Sequence, residues 1–476
     1  MAKILDSVRR QILAHLNKFI VVSGITVVGS VLLIATHAAT PVVSVEPEIG
    51  GVTSTATVTN DATASGSKAV KFGTVAASTT GFTHPGILLS RAQLDFVKSK
   101  IASGAQPWTA AYNTMLTSGT GNGGRYSSLT YNAQPVPSVQ CVGASGNTAL
   151  NSGCQAQTDD AIAAYTDALI YYYTGNTAYA TKSIAIMNAW SSTLQEIKFD
   201  TTTYTNGLLQ AGWTAQTITR AAEIIRYNDA GWQATDVQNF ETMLKNIYLP
   251  HVNHGWTGGG ANWLSTLSDA TIDIGIFTND RTTFDLGVSQ WRQWAPTIIY
   301  MSSDVNPYPQ LAGYPIPPKG TNYDKSTTTP TTMNTYWRNP SGFYQDGLEG
   351  ETCRDISHTT MGLEGLVMGA ETARIQGVDL YGEQQTRLVA GFEFNSRYAV
   401  QQLSTGSVPA NLCGGILNTG GTGYVLGYEI AYNALASRRG IAMPNTKILI
   451  DNYTRPATYN AGLFMDWEQL THAGTP

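Results

Sequence analysis

The chain has 476 residues, with 28 Lys and Arg against 33 Asp and Glu and a net charge of −5. Charged residues make up only 13% and aromatic residues 10%, which excludes a chain disordered throughout, because such chains are charge-rich and aromatic-poor. No basic excess exists to displace counterions from phosphates, so nucleic acid is excluded as a non-specific partner; low charge with many Tyr and Trp points to an exported, carbohydrate-handling protein.

Residues 1–37 carry Lys3, Arg9, Arg10 and Lys18 against Asp6, a net +3 that leaves −8 on the remainder. Residues 19–36 form an uncharged stretch behind this basic flank, long enough for a spanning helix whose basic side stays in the cytoplasm. Two outcomes follow: an N-terminal membrane anchor, the favoured one, or a signal peptide cleaved near Thr36-His37-Ala38. In either case the body is exported, membrane-anchored on the extracytoplasmic side or secreted. Residues 38–82 are rich in Ser, Thr and Gly and read as a short β-prone tether. The third segment, 83–476, reads as one catalytic domain.

Helical spacing begins after His84. Residues 158–174 predict a helix, closed by the turn Gly175-Asn176 and followed by a second helix containing Trp190. The arrangement recurs at 269–294, with Asn279-Asp280 as the turn and Trp294 near the end. It recurs again at 361–400 around Gly377–Asp379, and 208–227 with 237–248 supply another pair. Helical hairpins that cannot each bury an apolar face must stack on one another. The expected fold is all-α, an incomplete (α/α) toroid of helical hairpins. The aromatic, loop-like run 300–344 is expected to wall a cleft, since long loops in compact domains are usually functional. Four cysteines in an exported chain fit two disulfides. Cys141 and Cys154 bracket one loop, which leaves Cys353 with Cys413. No C-x-x-C accompanies them, so zinc is the weaker reading.

Three blocks can carry chemistry. In 342–376, Glu349, Glu351, Arg354, Asp355 and His358 crowd the start of a helix; Arg354 and His358, four apart, are expected on one helix face. The alternative is an acidic helix cap beside a surface arginine. In 251–275, three glycines precede Asn262 and Trp263, so the Asn262 amide either approaches a ligand or caps a helix. His251 and His254 lack a visible third ligand, and no metal is expected. Around 208–227, Gln210, Trp213 and Thr217 share a side, with Trp213 either stacking on a sugar or packing in the core.

Together HPGILLS, QPWTAAY, GGANW with GIFTNDRTTFD, and ETCRDISHTTMGLEGLVMGAE with QGVDLYG resemble the alginate lyase superfamily of helical-toroid polysaccharide lyases over about residues 83–440. The resemblance implies β-elimination in an acidic, uronate-containing polysaccharide, with no cofactor. It implies Asn262 as the neutraliser of the substrate carboxylate and His358 as base or carboxylate partner. Arg354 would hold a carboxylate or depress a Tyr. Tyr344 would be the proton-transferring phenol, with Tyr308, Tyr314 and Tyr336 as rivals. Trp213, Gln210, Trp256, Trp263, Tyr336 and Glu351 would line the sugar path. One departure marks a divergent branch: Gly-Gly-Gly-Ala-Asn-Trp stands where the family has an adjacent Asn-His pair, so glucuronan or another polyuronate competes with alginate. Two other functions stay open. One is a glycoside hydrolase using two of Asp269, Asp346, Glu349 and Glu351; the other is a non-catalytic surface binding protein. A body at −8 repels a polyanion, so a cleft more positive than the surrounding surface is expected.

Overall fold

A computed structural model describes residues 56–60, 68–72, 81–118, 124–143, 146–253, 261–303, 345–419, 428–455 and 462–476. The chain divides into two compact units, Met1–Ala76 and Ala77–Pro476. In the first, β1 (Ala56–Asn60) and β2 (Lys68–Phe72) pair antiparallel, with Val58 opposite Val70. The apolar segment 19–36 lies outside the described residues. Among the described residues no helix is long and apolar enough to cross a membrane.

The second unit is helical apart from one short parallel pair. It opens with α1 (Arg91–Ala102) and α2 (Trp108–Thr117). Next, β3 (Ser138–Gln140) pairs with the later β4 (Glu196–Lys198). Helix α3 (Cys154–Thr174) begins four residues earlier than its sequence pattern predicts and stops at Gly175, whose φ of 74° suits glycine. Asn176 then caps α4 (Thr177–Thr193), its side chain accepting from the Ala178 amide. A two-residue link forces the pair antiparallel. The same logic joins α8 (Ala261–Phe277) to α9 (Arg281–Ile298), where the Asp280 carboxylate caps the Thr282 and Thr283 amides. Between these hairpins lie α5 (Gly207–Arg226), α6 (Ala234–Met243) and, after a π turn at Leu244–Tyr248, α7 (Leu249–Val252). Helices α10 (Ile356–Ile375) and α12 (Gln385–Thr405) flank the short α11 (Leu380–Glu383). The chain closes with α13 (Tyr428–Ala431), α14 (Pro444–Leu449) and α15 (Glu468–His472).

Contacts among long and short helices together run in a circuit: α3 packs on α5, α5 on α8, α8 on α10, α10 on α13, α13 on α15, α15 on α1, and α1 back on α3. Of the circuit, α3, α5, α8 and α10 are buried on nearly every side; in α8 only Trp263 is not buried. Their hairpin partners α4 and α12 bury one face and expose the other, as amphipathic helices do at the outside of a bundle.

Within the circuit, α8 and α10 run parallel and in register because α10 offers glycines where α8 approaches. A Cβ at Gly365 would stand 2.6 Å from Ser265 Oγ and 3.0 Å from its backbone carbon, and one at Gly369 would meet Asp269 Oδ1 at 3.4 Å. Backbone cannot retreat as a flexible side chain can. Gly365→Ala is therefore expected to cost about 1–3 kcal/mol, read as a lowered denaturation midpoint; an unchanged midpoint would show that the two helices separate freely. Register and connectivity place the N-termini of α3, α5, α8 and α10 at one end. Gln210 in the first turn of α5 donates to Cys154 O in the first turn of α3, at 3.0 Å.

Candidate active site

The loop before α10 is pinned by the Cys353–Cys413 disulfide, and the loop before α3 by Cys141–Cys154. A chain of hydrogen bonds orders the first of these turns. Glu349 Oε2 accepts from the Glu351 amide at 2.6 Å, and Thr352 Oγ1 from the Glu349 amide at 3.0 Å on the same strand of chain. Arg354 does not lie on the helix face expected for it. The helix starts at Ile356, so Arg354 belongs to the preceding turn, where Nη1 donates to Glu351 Oε2 at 3.1 Å. Its link to His358 runs through Asp355, the N-cap. Arg354 Nε lies 3.9 Å from Asp355 Oδ2, and His358 Nδ1 lies 2.7 Å from the same oxygen. Both side chains reach solvent, Arg354 at 31% exposure and His358 at 28%.

Burial alone would raise the Asp355 carboxyl, but hydrogen bonds from the His358 ring and backbone, with Arg354 nearby, hold it below its ordinary value. The turn itself carries more carboxylates than cations; the run 304–344 expected to wall the cleft lies outside the described residues. Glu351 and Asp355 both lie against the Arg354 guanidinium, because the residues that order the loop are themselves carboxylates.

Asn262 sits in the second position of α8, inside the helix, so it is not the N-cap. Its side chain is 1% exposed and points to α10, with Nδ2 3.9 Å from Met361 Sδ. Its Oδ1 is buried with no hydrogen-bond partner among the described residues. A buried amide left half-satisfied is costly and is what a ligand-binding group looks like before its ligand arrives. Gly362 adjoins both this residue and Glu349: a Cβ there would meet Glu349 Oε1 and lie 3.5 Å from the Asn262 amide. The structure thus brings Asn262, Met361, Gly362 and the Asp355–His358 pair to the N-terminal ends of two parallel helices. Helix N-termini are favourable for anions.

Other expected residues are placed differently. Gln210 is buried, and its amide nitrogen donates to Cys154 O, Gln157 Oε1 and Thr158 Oγ1. Those bonds fasten α5 to α3 and correct the expectation that it faces a sugar. Trp213 and Trp263 are half-buried; the Trp213 indole nitrogen is itself covered. Glu351 is buried against Arg354. Tyr344, Tyr336, Tyr308, Tyr314, Trp256 and His254 lie outside the described residues. Among the described residues no group of three or more His, Cys, Asp or Glu is placed to hold a metal ion.

Tyr428, which sequence reasoning passed over, is fully buried at the start of α13. Burial raises its phenol, and Glu364 and Glu349 add to the effect while Thr360 opposes it. A phenol so placed keeps its proton and cannot serve as a base. Of the carboxylates considered for hydrolysis, Asp269, Glu349 and Glu351 are buried. Asp269 accepts from Gln216 Nε2 at 2.5 Å, and Asp346 accepts from the Ser302 amide at 2.6 Å.

Two turns along α8 from Asn262, a second polar group fills the interior. Arg220 is completely buried and donates to Phe464 O at 2.7 Å, with Nη2 3.7 Å from Asp269 Oδ2. Asp273, Asp466 and Glu468 share its surroundings. Their assembly from three distant stretches of chain left no local sequence signal.

No family model matches the chain, and no curated protein matches its sequence. Among solved structures, the fold is similar to that of an alginate lyase from Bacteroides ovatus, at 11% identity and a TM-score of 0.50 over 82% of this chain and 99% of that one. It is likewise similar to alginate lyase A1-III from Sphingomonas species A1, at 15% identity and a TM-score of 0.50 over 83% of this chain and 98% of that one. These likenesses establish the fold: the chain shares the helical architecture of these two alginate lyases.

Proposed function

We propose that this protein is a polysaccharide lyase that cleaves a uronate-containing polysaccharide by β-elimination, on a helical-toroid domain spanning 83–476. The observation that carries the reading is the placement, at the N-terminal ends of the parallel α8 and α10, of the buried Asn262 amide, whose Nδ2 lies 3.9 Å from Met361 Sδ, and of a carboxylate-held His358. The C5 proton of a uronate becomes removable once its carboxylate is hydrogen-bonded, because the developing enediolate is then stabilised. Asn262 donates that bond through Nδ2, which in this structure makes only the long contact to Met361 Sδ among the described residues, and His358 Nε2 takes the proton. The C4–O bond then breaks, a C4=C5 double bond forms, and the departing oxygen takes a proton from a phenol, assigned here to Tyr344. Arg354 contributes by holding a neighbouring carboxylate in competition with Glu351. Trp213 and Trp263 are assigned to sugar stacking.

The two disulfides fit an exported chain, with 1–37 as anchor or cleaved signal and 38–82 as tether. Incubation with alginate, glucuronan and related polyuronates tests the reading. The expected result is unsaturated ends that absorb in the ultraviolet, on at least one polymer. New reducing ends without that absorbance would mean hydrolysis, and measurable affinity without any cleavage would mean a binding protein.

A further inference from the structure

We infer that Asp355 is a positioning residue of this site, holding the His358 imidazole so that Nδ1 carries the ring proton and Nε2 presents its lone pair to substrate. The substrate half of this inference rests on the lyase reading; the geometry stands on its own. Asp355 is the N-cap of α10, and its Oδ1 accepts from the His358 backbone amide at 2.8 Å, an ordinary capping bond. Capping needs no more than that, and a Ser, Thr or Asn would provide it. Here the carboxylate does something further, because both of its oxygens also contact the His358 ring, Oδ1 at 2.8 Å and Oδ2 at 2.7 Å from Nδ1.

An ionised carboxylate only accepts hydrogen bonds, and this one is held below the usual carboxylate range. The proton of the contact therefore belongs to Nδ1. The neutral ring then keeps its lone pair on Nε2, which lies across the ring from the carboxylate. Among the described residues Nε2 has no hydrogen-bond partner, while the side chain remains part-exposed. Arg354 Nε, 3.9 Å from the same Asp355 Oδ2, adds a cationic neighbour to the carboxylate. The consequence is a base whose tautomer and orientation are set before substrate arrives. In other enzymes that use a carboxylate behind a histidine, removal of its charge lowers turnover by several orders of magnitude while leaving the fold in place.

Two substitutions separate positioning from capping. Asp355→Asn keeps the cap and the shape but removes the charge; Asp355→Ser keeps the cap and is too short to hold the ring. Nitrogen-15 NMR of the full chain reads the His358 tautomer directly, assigned by comparison with His358→Gln. The expected spectrum is Nδ1–H in the wild type and a mixed or reversed tautomer in both variants. Turnover on the polyuronate that gives the strongest ultraviolet signal is expected to fall at least about 100-fold in kcat, with KM changed less than about threefold. An unchanged tautomer, or a changed tautomer with unchanged kcat, overturns the inference. If the wild type produces no unsaturated ends from any polyuronate, the lyase reading falls, and the tautomer comparison alone then decides whether Asp355 positions the ring.

Discussion

Replacement of His358 by alanine is expected to lower kcat/KM on the preferred polyuronate by about 10²–10⁴-fold, equivalent to about 3–5 kcal/mol of lost transition-state stabilisation. The loss follows from the role of Nε2. With Asn262 neutralising the substrate carboxylate, proton removal from C5 still needs a base held within reach, and no other described side chain in this turn offers one. Glu351 is buried and engaged by Arg354, and Asp355 lies behind the imidazole. Stability should barely change, because the Asp355 cap bonds the backbone amide of residue 358, which alanine retains. Steady-state ultraviolet kinetics paired with a thermal melt checks both halves. Activity above a tenth of wild type would remove His358 from the reaction, whereas lost activity with a collapsed melt would make it a structural residue.

Much of this arrangement was legible in local sequence. Turns at Gly175-Asn176 and Asn279-Asp280 announced the hairpins because their residues act locally: a glycine at positive φ stops α3, and Asn or Asp side chains start the next helix. The crowd of residues from Glu349 to His358 was visible for the same reason, its members being neighbours in the chain. Placing Arg354 on the helix failed because four-residue spacing means one face only inside a helix. The Asp355 cap moves the helix start one residue past it. Gln210 was misplaced because one helix's periodicity does not reveal which of its polar groups a neighbouring helix will use. The bonds to Cys154 and Gln157 join residues more than fifty apart. The interior polar group is the extreme case. Asp269 and Asp273 are four apart on α8 and resemble a solvated acidic face, until the C-terminal segment and Arg220 close over them.

Arg220→Met is expected to destabilise the protein by about 3–5 kcal/mol at neutral pH, the usual cost of leaving buried charge without its partner. The guanidinium is buried with the carboxyls of Asp269, Asp273, Asp466 and Glu468 around it, and it also holds the C-terminal segment through Phe464 O. One cation cannot balance four carboxylates, so the group must share protons. Burial pushes Asp269 and Glu468 up to about 7, against the pull of Arg220, and raises Asp273 and Asp466 well above their ordinary values. The folded state therefore binds more protons than the unfolded state, whose carboxyls titrate near pH 4. Stability from these groups is complete below about pH 4 and is lost as pH rises through about 7. The Arg220→Met deficit should grow over the same pH window. Near pH 4.5 the carboxyls are largely protonated in the fold and need no counter-charge, so the deficit shrinks; at pH 8 it is largest. Asp273→Asn should show the opposite sign, stabilising most at pH 8, because it removes a charge the interior cannot solvate. Denaturant titrations of the three proteins at both pH values decide the matter. A deficit equal at pH 4.5 and pH 8 would mean that Arg220 acts through its bond to Phe464 O and its 3.1 Å contact from Nη2 to Met368 Sδ, rather than through the carboxyls it faces.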